Sequence, residues 1–355
     1  MLNKSLWVLT KQEIVKEDVQ SVLNDIEPFS KALENKHVLI SGGRGFLGTY
    51  FLKVLTELNK VFEKPIHITV LDNLITAKEK EDFHDKNIKF IEQDISQKFT
   101  LSEKLHYIIH SASIASPPIY RKYPLKTVDV NYQGTRNLLD LAVEKRIESM
   151  LFLSSSEIYG DPDVIPTPES YWGYVSSTGP RACYDESKRL AETISVLYHQ
   201  EYGVPVKIAR PFNVYGPYLN LDDGRMIPDF MKNAIEKSEI IIHSDGSPTR
   251  SFCYITDAMR GFFRILLLAT PGSIFNVGND EEISVKEVAE IVRKMMNKPI
   301  KIIFQKSSDP HYVKDNPQRR CPDLTNISKA IGYKPQVKLE EGIRCLYNWY
   351  ESGLS

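Results

Sequence analysis

Ile14, Val15, Val19, Val22, Leu23 and Ile26 fall on one stripe at helical spacing, so the chain is expected to open with an amphipathic helix that ends at Pro28. Residues 1–35 read as a helical extension, packed on a domain surface or serving as an arm for a partner subunit. From Lys36 the rhythm changes. Short apolar runs predict strands at 37–41, 67–71, 88–92, 107–110, 150–154 and 206–210, with helical patterns at 46–59, 128–145 and 184–202 between them. Strands alternating with helices imply a parallel sheet covered on both faces: an α/β, Rossmann-like, doubly wound fold over residues 36–210. Beyond Pro211 the order is less regular. Helices are expected at 227–237, from 257, at 285–297 and at 339–352, and strands at 239–243 and 300–304. Residues 211–355 should form a smaller C-terminal α/β region that binds substrate over the carboxyl ends of the strands, with elements free to return to the main sheet.

The first strand runs straight into Gly42-Gly43-Arg44-Gly45-Phe46-Leu47-Gly48 and then a helix. In that context each glycine has a task. Gly42 permits the tight turn, Gly45 lets backbone approach a pyrophosphate, and Gly48 lets the helix sit close, while the amides at Phe46 and Leu47 open the helix N-terminus to phosphate. Asp72 ends the second strand, beside Asn73, where a carboxylate accepts bonds from ribose hydroxyls and repels a 2′-phosphate, so NAD is favoured over NADP. Asp94, followed by Ile95, sits after the third strand. It is a candidate for the adenine amino group, or simply a turn-forming aspartate.

Tyr184 and Lys188 lie four residues apart, on one helical face after the fifth strand. A lysine and an oxidised nicotinamide both favour the phenolate, so Tyr184 suits removal of a proton from a hydroxyl as hydride leaves carbon. The fifth strand ends in Ser154-Ser155-Ser156-Glu157, at the ligand-binding edge of the sheet. Arg250 and Arg320 offer planar forks for phosphate or carboxylate, and Asn213 and Arg225 are further substrate contacts unless they only brace loops.

Composition narrows the partners. Across 355 residues, 45 basic side chains against 46 acidic ones leave a net charge of −1 without a single-sign block, so neither nucleic acid nor a membrane surface is an expected partner. Cys183, Cys253, Cys321 and Cys345 are widely spaced, with no cysteine-histidine cluster of metal-ligand spacing, so reduced thiols and no metal are expected. The start carries no export signal, which with the thiols points to the cytoplasm. His110, ending an apolar strand, reads as structural, and the Gly-x-Ser-x-Gly elbow of serine hydrolases is missing.

Beyond these motifs, the chain carries Ala115-Ser116-Pro117-Pro118, Tyr123-Pro124-Leu125-Lys126-Thr127, Tyr159-Gly160-Asp161-Pro162, Tyr171-Trp172-Gly173 and Gly179-Pro180-Arg181-Ala182-Cys183-Tyr184-Asp185-Glu186. Later come Asp223-Gly224-Arg225, Thr249-Arg250-Ser251-Phe252 and Pro317-Gln318-Arg319-Arg320-Cys321-Pro322-Asp323. From about residue 36 to 350 the sequence resembles the extended short-chain dehydrogenases that act on nucleotide sugars, the NAD-dependent epimerase/dehydratase family. Within it the similarity is greatest to the UDP-glucuronate decarboxylase, or UDP-xylose synthase, branch.

The resemblance implies a nucleotide-sugar substrate, NAD as cofactor and a closed redox cycle. Tyr184 would deprotonate the sugar 4-hydroxyl, the 4-keto acid would lose carbon dioxide, and the hydride would return to C4. Ser155 would hold the 4-hydroxyl, Ser156 and Glu157 would face the C5 substituent, and Arg320 matches an arginine considered for C5 chemistry. It also implies a homodimer through helices 128–145 and 184–202. Two departures bear on the sugar. Ser155 replaces the usual threonine, and Ser111-Ala112-Ser113-Ile114 replaces Leu-Ala-Ser-Pro. A 4,6-dehydratase would carry an aspartate where this chain has Ser156; a 4-epimerase needs neither group and stays open, as does a non-catalytic sensor of sugar nucleotides.

Overall fold

A computed structural model describes residues 9–76, 83, 85–306 and 317–352; the first eight residues, part of the start read for an export signal, lie outside the described residues. Seven parallel strands make the central sheet: β1 (His37–Ser41), β2 (His67–Asp72), β3 (Ile88–Glu92), β4 (Tyr107–His110), β5 (Ser149–Leu153), β6 (Val206–Pro211) and β7 (Ile274–Val277). Their order is β7-β6-β5-β4-β1-β2-β3. The order reverses between β1 and β4, where Ser41 lies opposite His110, and a doubly wound sheet opens a crevice at that point. β1, β4 and β5 are almost wholly buried, as strands covered on both faces must be.

The first six strands lie within one residue of the ends read from the sequence. The seventh was not expected. β7 is short, and its apolar run is broken by Asn276, which is itself fully buried. Asn276 accepts from Tyr159 Oη at 2.7 Å and donates to Thr167 O at 2.9 Å, so a polar residue in a core strand is satisfied by long-range partners that no periodicity reveals. Chain from beyond Pro211 thus completes the sheet.

Helix α1 (Lys11–Ser30) corrects the expectation that Pro28 ends it. Proline in the last turn forfeits one backbone bond, at a cost of up to about 3 kcal/mol. Burial of Ile14, Val15, Val19, Val22 and Ile26 contributes roughly 1.5–3 kcal/mol each and prevails. A capping box between Thr10 and Glu13 starts the helix.

α1 packs on α2 (Phe46–Leu58), the helix that follows the glycine loop, and on the helix Ile255–Leu268. In the middle of its apolar stripe sits Asp18, buried, accepting from Tyr50 Oη at 2.7 Å and Tyr254 Oη at 3.0 Å. Arg264 forks onto Asp25 at 2.8 and 3.0 Å, and Arg260 donates to Ser21. The extension is therefore part of the core.

Burial lifts the Asp18 carboxyl from 3.8 to about 7, against the opposing pull of the two tyrosine hydroxyls. Because folding raises this pKa, the stability that the protonated form contributes is complete below about pH 4 and is lost as pH rises through about 7. Asp18→Asn keeps an acceptor and removes the charge, so its melting temperature relative to wild type should climb between pH 4 and pH 7.5. Asp18→Ala strands two hydroxyls, about 1–3 kcal/mol each, and should destabilise at every pH. A wild-type-to-Asn gap that does not move with pH would sink this account.

Candidate functional site

The loop between β1 and α2 forms a cradle whose three glycines differ in what constrains them. Gly42 has φ +73, and a Cβ there would lie 2.6 Å from the Ala112 backbone. A Cβ on Gly48 would lie 2.1 Å from Gly42 O, so only glycine lets α2 start against the turn. Gly45 is open on its outer side, meeting only Gly42 O at 3.4 Å. The loop therefore presents bare backbone and a helix N-terminus to a crevice, the arrangement that suits a pyrophosphate. Phe46 and Leu47 line the same space.

At the next strand end the Asp72 carboxylate accepts from Arg44 N at 2.9 Å and Leu74 N at 2.8 Å, which aims it along the groove edge. The Arg44 guanidinium stacks 4.2 Å from the centre of the Phe90 ring. Asn73 accepts from Ile75 N, and Asp94 from both the amide and the hydroxyl of Ser96, so these two side chains brace their own turns. With Ile95 they line a groove of about 180 Å³ that continues from the glycine loop. Length, polarity and position fit the adenosine half of a dinucleotide.

Around the switch point opens a cleft of about 570 Å³, which brings together Ser155, Ser156, Glu157, Tyr184, Lys188, Asn213, Arg225, Arg250 and Arg320. Tyr184 and Lys188 come from the first two turns of the helix Ala182–Tyr202 and are buried. Lys188 Nζ donates to Leu153 O at 2.8 Å and lies 6.0 Å from the Tyr184 ring centre. Burial pulls Lys188 down from 10.5 to about 7, with Glu192 opposing. Burial likewise pushes the Tyr184 phenol above 10, while a bond with the Ser155 hydroxyl pulls the other way. The phenol thus rests protonated, and a cation placed beside it would release its proton.

Three neighbours of this pair were missed by the sequence reading. The Tyr120 ring stacks on Tyr184 at 5.5 Å, nearly parallel. Asn131 sits where the expected helix 128–145 is instead broken into Pro124–Asp129, a π-helical turn Val130–Gly134 and Thr135–Lys145. It accepts from Ser113 Oγ at 2.7 Å and donates to Ser187 Oγ at 2.9 Å, tying the cleft wall to the helix Ala182–Tyr202. His110 bonds Ser41 and Thr135, a structural task as expected.

The third is Arg181. Glu157 accepts from its Nη2 and from both terminal nitrogens of Arg320, one of them at 2.7 Å. Burial favours the neutral acid, but the charges of Arg181 and then Arg320 prevail and hold Glu157 at about 2. Asp185, 3.5 Å from Arg181 Nε, is lifted to about 7 by burial and by the nearby Glu157 charge. Arg225 pairs with Asp223, and Arg250 donates to Thr249 O at 2.7 Å and to Gln318 O at 3.3 Å. Asn213 donates to Ser251 O at 2.8 Å, a loop-bracing bond made from the cleft wall. Among the described residues no group of three or more His, Cys, Asp or Glu is placed to hold a metal ion, and no helix is long and apolar enough to cross a membrane.

Residues 38–278, from β1 to just past β7, match the NAD dependent epimerase/dehydratase family. The chain belongs to that family. UDP-glucuronic acid decarboxylase 5 of Arabidopsis thaliana is 38% identical over 313 residues, covering 87% of each chain. UDP-glucuronic acid decarboxylase 1 of Xenopus tropicalis is 36% identical over 330 residues, 92% of this chain and 75% of that one. Among solved structures, an epimerase from Methanothermobacter thermautotrophicus superimposes with a TM-score of 0.81 at 26% identity, covering 94% of this chain and 96% of its own.

For this family member the cradle makes a sharp prediction. Gly48→Ala should weaken NAD binding more than about tenfold in a calorimetric titration, because the added methyl cannot clear Gly42 O. Undiminished affinity would show that the loop does not carry the pyrophosphate.

Proposed function

We propose that this protein is an NAD-dependent decarboxylase of a nucleotide-linked hexuronic acid, with UDP-glucuronate to UDP-xylose as the first substrate to test. The observation that carries the reading is the end of the cleft where Ser156 stands in place of an acid and Glu157 is held ionised between two arginines, the end that this reading turns toward C5. NAD, which the cradle of Gly42, Gly45 and Gly48 would hold, would supply a reversible two-electron acceptor.

The chain's own residues do the rest. Tyr184 takes the 4-hydroxyl proton, with Ser155 holding that oxygen and Lys188 favouring the phenolate. Oxidation at C4 makes the sugar a β-keto acid, whose carboxylate leaves as carbon dioxide with the bonding pair passing to the enolate. This step needs no proton donor at the leaving group. Elimination of water does need one, and Glu157, held at about 2, is a base and not an acid at neutral pH. Asp185 keeps a proton to about pH 7, yet it is not among the residues that line the cleft. Decarboxylation is therefore favoured over dehydration. A 4-epimerase would ask only for Tyr184 and Ser155 and would give the Glu157–Arg320 pair no carboxyl group at C5 to act on.

Names of the relatives support the same substrate. A homodimer belongs to this reading: Leu190 and Leu197 on the catalytic helix and Val143 on its neighbour are exposed apolar side chains on two helices packed together. The free thiols suit a reducing compartment such as the cytoplasm.

Purified protein with NAD, given UDP-, TDP-, GDP- and CDP-sugars and followed by mass spectrometry, should remove carbon dioxide from UDP-glucuronate. Loss of water, or an unchanged mass with inverted C4, would replace the reading with dehydration or epimerisation. Binding without any conversion would make the protein a sensor. Tyr184→Phe should bind NAD normally and lose at least about 100-fold in turnover.

A further inference from the structure

We infer that Arg181 is a positioning residue that locks the C5-facing carboxylate to the helix carrying the C4 base. This inference rests on the decarboxylase reading. Arg181 is the N-cap residue of the helix Ala182–Tyr202, and its carbonyl accepts from Tyr184 N at 2.9 Å and Asp185 N at 3.0 Å. Its side chain reaches two carboxyl groups at once. One is Glu157 at the end of β5, and the other is Asp185, one turn into its own helix. Ser155, at the end of β5, accepts from Glu157 N at 3.2 Å. The result is a connected series, Asp185, Arg181, Glu157, Arg320, that joins the end of β5 to the helix bearing Tyr184.

A planar fork on a short tether is what this position requires. Lysine would keep the charge but supply a single point donor, unable to hold both carboxyl groups in one geometry. Arg181 lines the cleft wall, but its polar contacts are with Glu157 and Asp185, so its effect reaches the sugar through Glu157. When the clamp is lost, C4 chemistry can still start. The 4-keto sugar loses carbon dioxide and its enolate takes a proton from solvent at C5, but the ring is no longer held for return of the hydride. The product then escapes as a 4-keto pentose, lighter than the pentose by two hydrogens. One of these stays as hydride on NADH, and the other leaves Tyr184 as a proton to solvent.

The test compares wild type and Arg181→Lys on UDP-glucuronate with NAD, measuring kcat, KM and the ratio of 4-keto pentose to pentose. Expected for Arg181→Lys are a kcat lower by roughly 10- to 100-fold, a KM within about threefold of wild type and a clear rise in the keto product. Wild-type kcat and product ratio in the variant would overturn the inference. Should Arg181→Lys fail to fold, Asp185→Ala decides, since it removes one anchor and leaves the Glu157 contact. A rise in keto product supports the clamp, and an unchanged ratio overturns it. Wild-type protein that releases no carbon dioxide would instead remove the decarboxylase reading, and the inference with it.

Discussion

A carboxylate set into the floor of a buried cleft stays charged only if cations are brought to it, and Glu157 has this need at the end of β5. The cations come from opposite directions. Arg181 arrives on the catalytic helix, and Arg320 arrives from a two-residue strand, Arg319–Arg320, that pairs in parallel with Thr249–Arg250. Neither partner is close in sequence. Pairing of one side chain therefore requires that the sheet, the catalytic helix and the C-terminal region be assembled together, and assembly is what creates the cleft. Breaking such a pair by removing one member is expensive, because it leaves a buried charge uncompensated.

The same logic explains why the division at residue 211 is a weak one physically. β7 comes from beyond it and pairs with β6, and the helix Ile255–Leu268 packs against both β5 and β6. α1, from the other end of the chain, packs on that helix and on α2. Asp18 meets Tyr50 of α2 and Tyr254 beside the later helix, so the N-terminal extension is bonded to the helix whose first turn forms the cradle. What reads as an appendage in the sequence is a brace behind the cofactor loop.

Elements that announce themselves by local pattern were legible: the six apolar strands, the glycine turn and the Tyr184/Lys188 spacing all follow from short-range geometry. The remainder depends on partners distant in sequence. Asn276 makes β7 look polar until Tyr159 and Thr167 are seen against it. Asn131 lies in a helix that only the structure shows to be widened by a π-turn. Arg181 stood within a quoted motif, yet a helix-capping arginine is ordinarily solvated, and only the fold turns it inward toward Glu157. Pro28 misled in the other direction, because a local rule for helix ends ignores the apolar stripe that holds the last turn in place.

Charge at the cleft floor carries the argument from stability to selectivity. Arg181, Arg320 and Arg250 gather around Glu157, with the charge of Asp161 also acting on Arg250, while burial and the Glu157 charge raise the Asp185 carboxyl. Burial, and after it the charge of Arg320, works against the ionised form of Arg250, so holding these arginines together has an energetic cost in the free protein. Arg320 Nε is buried without a hydrogen-bond partner among the described residues, and Arg181 Nε meets the Asp185 carboxyl at 3.5 Å as an ion-pair contact only. A hexuronic acid adds a carboxylate to the diphosphate that every nucleotide sugar carries, and so offers these arginines one anionic group more than a neutral hexose does. Discrimination of this kind is obtained by leaving the wrong ligand's site unsatisfied, which penalises the neutral sugar more than it rewards the acidic one.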